Sequence, residues 1–178
     1  MKQITKIWLG YIWLVMHSVF LLPLVLIFLS FLLDKRIGFL PFIPGNSNIY
    51  MSIPLFIIGA FWMIWSGIYL VTVGHGHLFA EPGMELQPKT TALVTTGPYK
   101  YTRNPMIFGY WMLISSLGIF FDSISLVFVV NPILITLSCL YIIWVEEPWT
   151  AKRFGGSYIS YKESVPRFIP NLKLIKRK

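Results

Sequence analysis

Long apolar segments without charge alternate with short polar segments along the chain. Four uncharged apolar segments cover positions 7–33, 49–73, 105–121 and 124–145. None of them alternates apolar and polar residues as a barrel strand does, and backbone groups in hydrocarbon have to be satisfied within their own segment. Each segment therefore predicts a transmembrane helix, the third being the shortest. The pattern as a whole predicts an all-α integral membrane protein with four transmembrane helices, in which residues 1–178 form a single membrane domain.

The third and fourth apolar segments are separated only by Asp122 and Ser123. Two residues leave room for no more than a tight turn, so we expect these two helices to form an antiparallel hairpin. Inside the fourth segment, the side chain of Asn131 is predicted to make an interhelical hydrogen bond. Prolines within the predicted spans are expected to kink their helices. These prolines are Pro23, Pro54 and Pro132.

An amphipathic pattern follows the last apolar segment. Phe154, Tyr158, Tyr161 and Val165 recur at helical spacing, and Gly155-Gly156 interrupts the pattern. The spacing predicts an amphipathic cytoplasmic C-terminal tail made of two short helices, which lies on the membrane or folds over a pocket.

The composition supports a membrane protein and sets its expected orientation. Apolar residues make up 56% of the chain and charged residues only 12%, about half the charged fraction of a typical soluble domain. The net charge is +8, and 13 of the 15 basic residues lie in the amino end, the 74–104 segment and the tail from position 146. With four spans these regions share one side, so both termini are expected in the cytoplasm. Attraction of the basic tail to anionic lipid accounts for the charge, and no nucleic-acid partner is predicted.

Neither a disulfide nor a metal site is predicted. The only cysteine, Cys139, lies in an apolar segment, where its thiolate would be costly to form. His75 and His77 stand two residues apart with no further Cys or His nearby, which makes a poor metal site. The Gly74-x-Gly76 pattern around them is by itself a weak indication of ligand binding.

Candidate chemistry is concentrated between positions 74 and 170, in two polar segments. The first places Tyr99, Tyr101, Arg103 and Asn104 directly ahead of Pro105. Proline suits the first helical position, and the free N–H groups of a helix start together with Arg103 make a site for a carboxylate or phosphate. Anchoring of the helix at the headgroup level is an equally open interpretation of the arginine and the tyrosines.

The second polar segment begins with Glu146-Glu147, where the fourth apolar segment ends. Adjacent acids near a low dielectric repel each other, so a cationic partner is the simplest reason for both, with a solvated helix end as the alternative. The predicted hairpin brings the pair towards Arg103. Further on, Arg167 is bracketed by two prolines, which fix its backbone and leave its guanidinium available.

Taken in order, these motifs resemble a known family. Gly97-Pro-Tyr-Lys-Tyr-Thr-Arg-Asn-Pro105 precedes the predicted hairpin, and Glu146-Glu-Pro precedes Phe154-Gly-x-x-Tyr158-x-x-Tyr161 and Val-Pro-Arg167-x-x-Pro170. The arrangement resembles the isoprenylcysteine carboxyl methyltransferases, within a broader group that includes the phospholipid N-methyltransferases. Several motifs in the right order are more specific than any one of them alone. Many relatives have His where this chain has Asn104, and an amide cannot accept a proton as an imidazole does.

The resemblance implies a membrane methyltransferase that uses S-adenosylmethionine and acts on a lipid or lipid-linked acceptor, such as the carboxylate of a prenylated cysteine. It implies a catalytic half at residues 74–170, on the cytoplasmic side. The residues implied in cofactor binding are Gly74, Gly76, Tyr99, Tyr101, Arg103, Asn104, Glu146 and Glu147. Those implied in catalysis are Arg103, Glu147 and Arg167, and those in acceptor binding are Tyr158, Tyr161 and Arg167. A membrane reductase that uses NADPH and a noncatalytic membrane scaffold are the alternatives.

Individual roles follow from the chemistry of the cofactor. Glu146 or Glu147 would bind its ammonium group, and Arg103 with the helix start would bind its carboxylate. Tyr99 or Tyr101 would pack against the adenine or the sulfonium. Arg167 would orient the acceptor.

Overall fold

All regular secondary structure in the described part of the chain is helical. The structure is a computed structural model and describes residues 16–75 and 91–173. Its α-helices are α1 (Leu22–Ile37), α2 (Ser47–Thr72), α3 (Pro105–Phe120), α4 (Asn131–Tyr141), α5 (Glu147–Phe154) and α6 (Gly156–Ser164). A 3₁₀ turn covers Gly97–Lys100, and π-helical segments at Met16–Leu21, Leu126–Val130 and Ile142–Glu146 directly precede α1, α4 and α5. The described residues contain no strand, which confirms the all-helical prediction.

Within residues 16–75 and 91–173, two helical segments are long and apolar enough to cross a membrane. They are Ser47–Thr72 and Leu126–Phe154, whereas Pro105–Phe120 is apolar but shorter. The second and third predicted spans agree with α2 and α3 to within two residues at each end. Positions 7–15 of the first predicted span lie outside the described residues. These helices and the composition fit a membrane protein, and the count of four spans remains a prediction.

The helix of the first predicted span continues past the last uncharged residue. The prediction ended before Asp34, yet α1 runs to Ile37 and ends at Gly38, whose φ of 80° is left-handed. Asp34 is tolerated in the helix because its carboxylate has partners. It accepts hydrogen bonds from the hydroxyl of Ser123 and from the N–H of Ser125, the latter at 2.8 Å.

The fourth predicted span is also part of a longer helix. Helical structure is continuous from Leu126 to Phe154, nine residues past the predicted end at Val145. Each π-helical segment ends two residues before a proline; these prolines are Pro23, Pro132 and Pro148. A proline ring clashes with the carbonyl four residues earlier, and the wider π turn relieves that clash. At Pro23 and Pro132 the expected irregularity therefore takes the form of a π turn within a continuous helix.

The chain divides into two compact units, residues 1–58 with 111–136 and residues 59–110 with 137–178. Within the first unit, the amide of Asn131 donates to the hydroxyl of Ser115 at 2.7 Å, which confirms the predicted hydrogen bond between helices. Asp122 adopts a φ of 51° and accepts hydrogen bonds from the N–H groups of Phe42 and Ile43. These bonds tie the connection after α1 to the turn after α3.

Within the second unit, α2 and α3 approach closely at a pair of glycines. A Cβ on Gly109 would lie 2.7 Å from the carbonyl oxygen of Gly59, so only glycine permits this approach. Trp62 and Trp65 of α2 pack against the ring of Tyr101, with centroids 6.2 and 5.9 Å apart. The glycine contact and the aromatic cluster together fix the loop before α3 against α2.

The C-terminal helices of the second unit bury the apolar face that their spacing predicts. Tyr158, Tyr161 and Val165 form a buried cluster, against which Tyr99 and Phe154 pack. Gly155, with a φ of 56°, separates α5 from α6. The tail is therefore folded against the loop before α3.

Candidate functional site

The loop before α3 is held at both of its described ends. The carbonyl of Gly74 accepts hydrogen bonds from the N–H groups of Thr91 and Ala92 at 2.9 and 3.3 Å. At Gly97 the backbone is left-handed, with a φ of 59°, and a Cβ there would overlap the ring of Tyr69. The 3₁₀ turn can start this close to α2 only because the residue is glycine.

Glu147 lies at the centre of a buried charge cluster. Its side chain is 7% exposed, and its Oε1 atom is 2.6 Å from Nη1 of Arg103. Arg167 binds the same carboxylate through two hydrogen bonds, from Nε to Oε1 at 2.8 Å and from Nη2 to Oε2 at 3.1 Å. Nζ of Lys162 is 3.6 Å from Oε2. The expected cationic partner of the acidic pair is confirmed for Glu147, and three cations around one carboxylate leave a surplus of positive charge.

The bidentate contact also affects protonation. The hydrogen bond to Glu147 raises the pKa of Arg167, so this guanidinium remains charged at every physiological pH.

The two adjacent glutamates have different surroundings. The N–H of Glu147 bonds to the carbonyl of Ile142, five residues earlier, at the end of the π turn. Adjacent residues of a helix point in different directions, and here Glu147 is buried among the cations while Glu146 is half-buried. Both residues line the same cavity. Three cations therefore contact Glu147, and Glu146 lines the same cavity.

A cavity of about 110 Å³ lies beside the charge cluster. Its wall combines both signs of charge with aromatic rings. The polar residues in this wall are Tyr99, Arg103, Asn104, Glu146, Glu147, Thr150, Tyr158 and Tyr161. Apolar side chains, among them Leu70, Val94, Ile142 and Phe154, complete it. This composition suits a ligand that carries both positive and negative groups.

The cavity tyrosines are held in their neutral form. Burial raises the pKa of Tyr99, and the charge of Glu146 adds to the effect. Burial likewise raises the pKa of Tyr158 and of Tyr161, and the hydroxyl of Tyr161 donates to the carbonyl of Tyr99 at 2.6 Å. These phenols can donate hydrogen bonds or present aromatic faces at neutral pH.

Arg103 presents a buried donor at the cavity wall. Its side chain is 7% exposed, and its Nε atom has no hydrogen-bond acceptor within residues 16–75 and 91–173. A buried N–H that lacks an acceptor costs about 1–3 kcal/mol, and more when the group is charged. An anionic group in the cavity would remove that cost.

Most of the residues singled out from the sequence line the cavity, and the others lie elsewhere. Seven of them line the cavity: Tyr99, Arg103, Asn104, Glu146, Glu147, Tyr158 and Tyr161. Arg167 joins them through Glu147. Tyr101 instead packs in the aromatic cluster with Trp62 and Trp65, away from the cavity wall. Gly74 anchors the loop through its carbonyl, and Gly76 lies outside the described residues.

Three polar residues of this region, Thr102, Thr150 and Lys162, were not singled out from the sequence, and Thr150 lines the cavity. Lys162 adds the third cation at Glu147, and it stands four residues after Tyr158 on the same face of α6. Thr102 is fully buried and donates its hydroxyl to the carbonyl of Arg167 at 3.1 Å. The helical spacing could have indicated Lys162, whereas nothing in the sequence marks the partner of Thr102.

Membrane-length apolar helices and a small cavity lined by buried charges define the class of this protein, a helical membrane protein with an internal polar site. A family model described as phospholipid methyltransferase matches residues 47–157, and the chain belongs to this family. The family includes isoprenylcysteine carboxyl methyltransferases and phospholipid N-methyltransferases, and it acts on lipid-type substrates. No curated protein and no solved structure matches the chain.

Proposed function

We propose that the protein transfers a methyl group from S-adenosylmethionine to a lipid or lipid-linked acceptor, and that the transfer takes place at the cavity beside Glu147. The observation that carries the proposal is the convergence of Arg103, Glu146 and Glu147 on one cavity in a chain of a methyltransferase family. Arg103 is remote in sequence from the adjacent pair Glu146-Glu147, and together these residues supply both signs of charge to one cavity. The reductase and scaffold alternatives gain no support from the family.

The donor set of the cavity fits the charged end of the cofactor. We assign the cofactor ammonium group to Glu146, whose charge acts on Tyr99 in the same cavity wall. The cofactor carboxylate is assigned to Arg103, whose buried Nε needs an acceptor. Tyr99, in the same wall, is the ring assigned to the sulfonium. Tyr101 is no longer assigned to the cofactor, because it packs against α2.

The cavity is smaller than the roughly 300–1,000 Å³ of a typical small-molecule pocket. We therefore assign it to the amino-acid end of the cofactor rather than to the whole molecule. When bound, S-adenosylmethionine supplies an electrophilic methyl group. The residues of this chain contribute alignment and the exclusion of water, and the buried wall of Tyr158 and Tyr161 serves the latter.

The acceptor is proposed to meet the surplus positive charge around Glu147. Arg167 is 32% exposed and Lys162 is 47% exposed, so both can still contact an incoming group. A carboxylate on a lipid, such as that of a prenylated cysteine, would be attracted to these cations and needs no general base. Arg167 is the residue assigned to orient it.

The proposed membrane arrangement has four spans, a hairpin of the last two, and both termini with the site on the cytoplasmic side. Single cysteines introduced at Leu40 and Ile169 in a Cys139→Ala background test this arrangement. Both positions are accessible to a label, because Leu40 is 78% exposed and Ile169 is 74% exposed. An impermeant maleimide should label Leu40→Cys and Ile169→Cys from opposite faces of the membrane. Labelling of both from one face would contradict the arrangement.

Methyl transfer tests the function directly. The purified protein is incubated with methyl-labelled S-adenosylmethionine and total membrane lipid, and parallel samples receive NADPH. Labelled lipid should appear with the wild type, and Glu146→Gln should reduce cofactor affinity about tenfold or more through loss of one charged hydrogen bond. Glu163→Gln is the matched control, because Glu163 is exposed on α6 and outside the cavity wall. Saturable binding of NADPH without binding of S-adenosylmethionine would contradict the proposal.

A further inference from the structure

The segment after α6 is bonded along the loop that precedes α3. This strap, residues 166–171, pairs with residues 101–104 through two backbone hydrogen bonds, from Arg103 N–H to the Pro166 carbonyl and from Asn171 N–H to the Tyr101 carbonyl, both at 2.9 Å. Two side chains add to this pairing, and both act on the carbonyl of one residue, Arg167.

The Arg167 carbonyl accepts hydrogen bonds from two side chains at once. The amide Nδ2 of Asn104 donates to it at 2.9 Å and the hydroxyl of Thr102 at 3.1 Å. The same Thr102 oxygen is 3.4 Å from the N–H of Asn104, which ties the two donors together. Three groups of the loop before α3 therefore hold this backbone. The side chains of Thr102 and Asn104 bind the Arg167 carbonyl, and the N–H of Arg103 binds the carbonyl of the preceding residue, Pro166.

The side chain of Arg167 leaves this fixed backbone and makes the bidentate contact with Glu147. Arg103, which stands between the two donor residues, binds the same carboxylate at 2.6 Å. A planar guanidinium makes two parallel bonds only when its stem starts from the right place. The position of the Arg167 backbone thus decides whether Arg167 can make its two-bond contact with Glu147.

We infer that Asn104 is a positioning residue, which acts through the carbonyl of Arg167 to hold that guanidinium on Glu147. The inference rests on the proposed function and refines it, because Asn104 lines the cavity and could otherwise be assigned to the cofactor. What the position requires is one N–H donor. Histidine provides such a donor, whereas leucine, similar in size to asparagine, does not.

Mobility of the strap tests the contact without any assumption about catalysis. A nitroxide is attached at Ile169→Cys in a Cys139→Ala background, because Ile169 is 74% exposed and the label can be accommodated. Asn104→Leu should make the label clearly more mobile, and Asn104→His should leave its spectrum as in the parent. Equal nitroxide spectra for the Asn104→Leu variant and for the labelled protein that retains Asn104 would overturn the inference.

A double-mutant cycle tests the route of the effect. Asn104→Leu should lower kcat/KM for methyl transfer about tenfold in the wild type and less than about twofold in an Arg167→Ala background, because the group it positions is gone. Asn104→His should stay within about threefold of the wild type. An equal loss in both backgrounds would overturn the inference in favour of direct ligand contact. If the wild type transfers no methyl group, the proposed function fails, while the nitroxide spectra still decide the contact.

Discussion

Asp34 and Glu147 are two carboxylates placed in helices, and their partners differ in kind. Asp34, in the first unit, accepts hydrogen bonds from a serine hydroxyl and a backbone N–H. Glu147, in the second unit, is bound by Arg103, Lys162 and Arg167. The partners of Asp34 are neutral and belong to the start of a helix, whereas the partners of Glu147 are cations beside a cavity.

The contrast separates a structural carboxylate from one at a candidate site. The groups bound to Asp34 build a helix start, since Ser123 in turn accepts the N–H of Leu126 and so caps that helix. At Glu147 one negative charge faces three positive ones, and Arg103 retains a buried Nε without an acceptor within the described residues. A cluster with excess positive charge and a buried N–H without an acceptor is suited to binding a ligand that carries a negative group.

The largest effect is expected at Glu147. Glu147→Gln leaves the buried guanidinium of Arg103 without its counter-charge, and breaking a buried ion pair in this way typically costs about 3–5 kcal/mol of stability. Methyl transfer should fall about a hundredfold or more, because the arginines lose their common anchor. Thermal unfolding in lipid nanodiscs and the labelled-methyl assay measure the two effects.

A compensated variant separates stability from chemistry at the same cluster. Glu147→Leu combined with Arg103→Met and Arg167→Met replaces the charges by apolar side chains, and should recover most of the lost stability. Methyl transfer should remain abolished. Recovery of transfer in this variant would show that the charges serve only to fold the protein.

Gly97 and Gly45 have nearly the same φ but different surroundings. Gly97 and Gly45 have φ values of 59° and 62°, so an alanine at either is strained by about 1 kcal/mol. Only at Gly97 would the new Cβ meet another group, the ring of Tyr69, whereas nothing lies within 4 Å at Gly45. Gly97→Ala should therefore cost about 1–3 kcal/mol more in unfolding free energy than Gly45→Ala.

The reason for that difference can be tested by removing the ring. In a Tyr69→Ala background the gap between the two alanine variants should close to within about 0.5 kcal/mol. Persistence of the full gap would show that Tyr69 does not explain the glycine at this position.

A smaller effect is expected at Asp34. Asp34→Ala removes both acceptors and should lower the unfolding free energy by about 1–2 kcal/mol, in the range of a lost helix cap. Cofactor binding should match that of the wild type, because Asp34 belongs to the first unit and is not in the cavity wall. Loss of cofactor binding with retained folding would remove the distinction between the two carboxylates.

The smallest effect is expected at high pH. Burial raises the pKa of Tyr99 and Tyr161 in the folded state above the value of about 10 that holds in the unfolded chain. Above pH of about 10 the unfolded state therefore binds fewer protons, and stability should fall as pH rises, with no such change below that pH. Tyr99→Phe should make the fall less steep in thermal unfolding from pH 9 to about 11. An equally steep fall in this variant would contradict the assignment.

Apolar periodicity predicts the elements of this chain well. The bounds of α2 and α3 match the uncharged segments to within two residues, and the glycine pair at 155–156 correctly marks the break before the short helix α6. The repulsion expected between two adjacent carboxylates also predicted a cationic partner for Glu146-Glu147. Such features depend on local sequence, on which the pattern reports directly.

Other features depend on contacts that the pattern does not contain. Hydropathy records where a segment stops being apolar, so it ended the fourth span at Val145 although the helix continues to Phe154. The sequence pattern also offered no reason to distinguish Glu146 from Glu147. The π turn that ends at this pair is not visible in the composition. Tyr101 was grouped with Tyr99 by its proximity in sequence, yet its ring packs on Trp62.

The central claim is that the cofactor lies in the cavity beside Glu147, in the second unit. Ultraviolet crosslinking of methyl-labelled S-adenosylmethionine to the purified protein, followed by peptide mapping, tests it most directly. The account predicts label on peptides within residues 91–110 and 142–161, competed by unlabelled cofactor and reduced in Glu146→Gln. Competable label confined to residues 111–136 would contradict it.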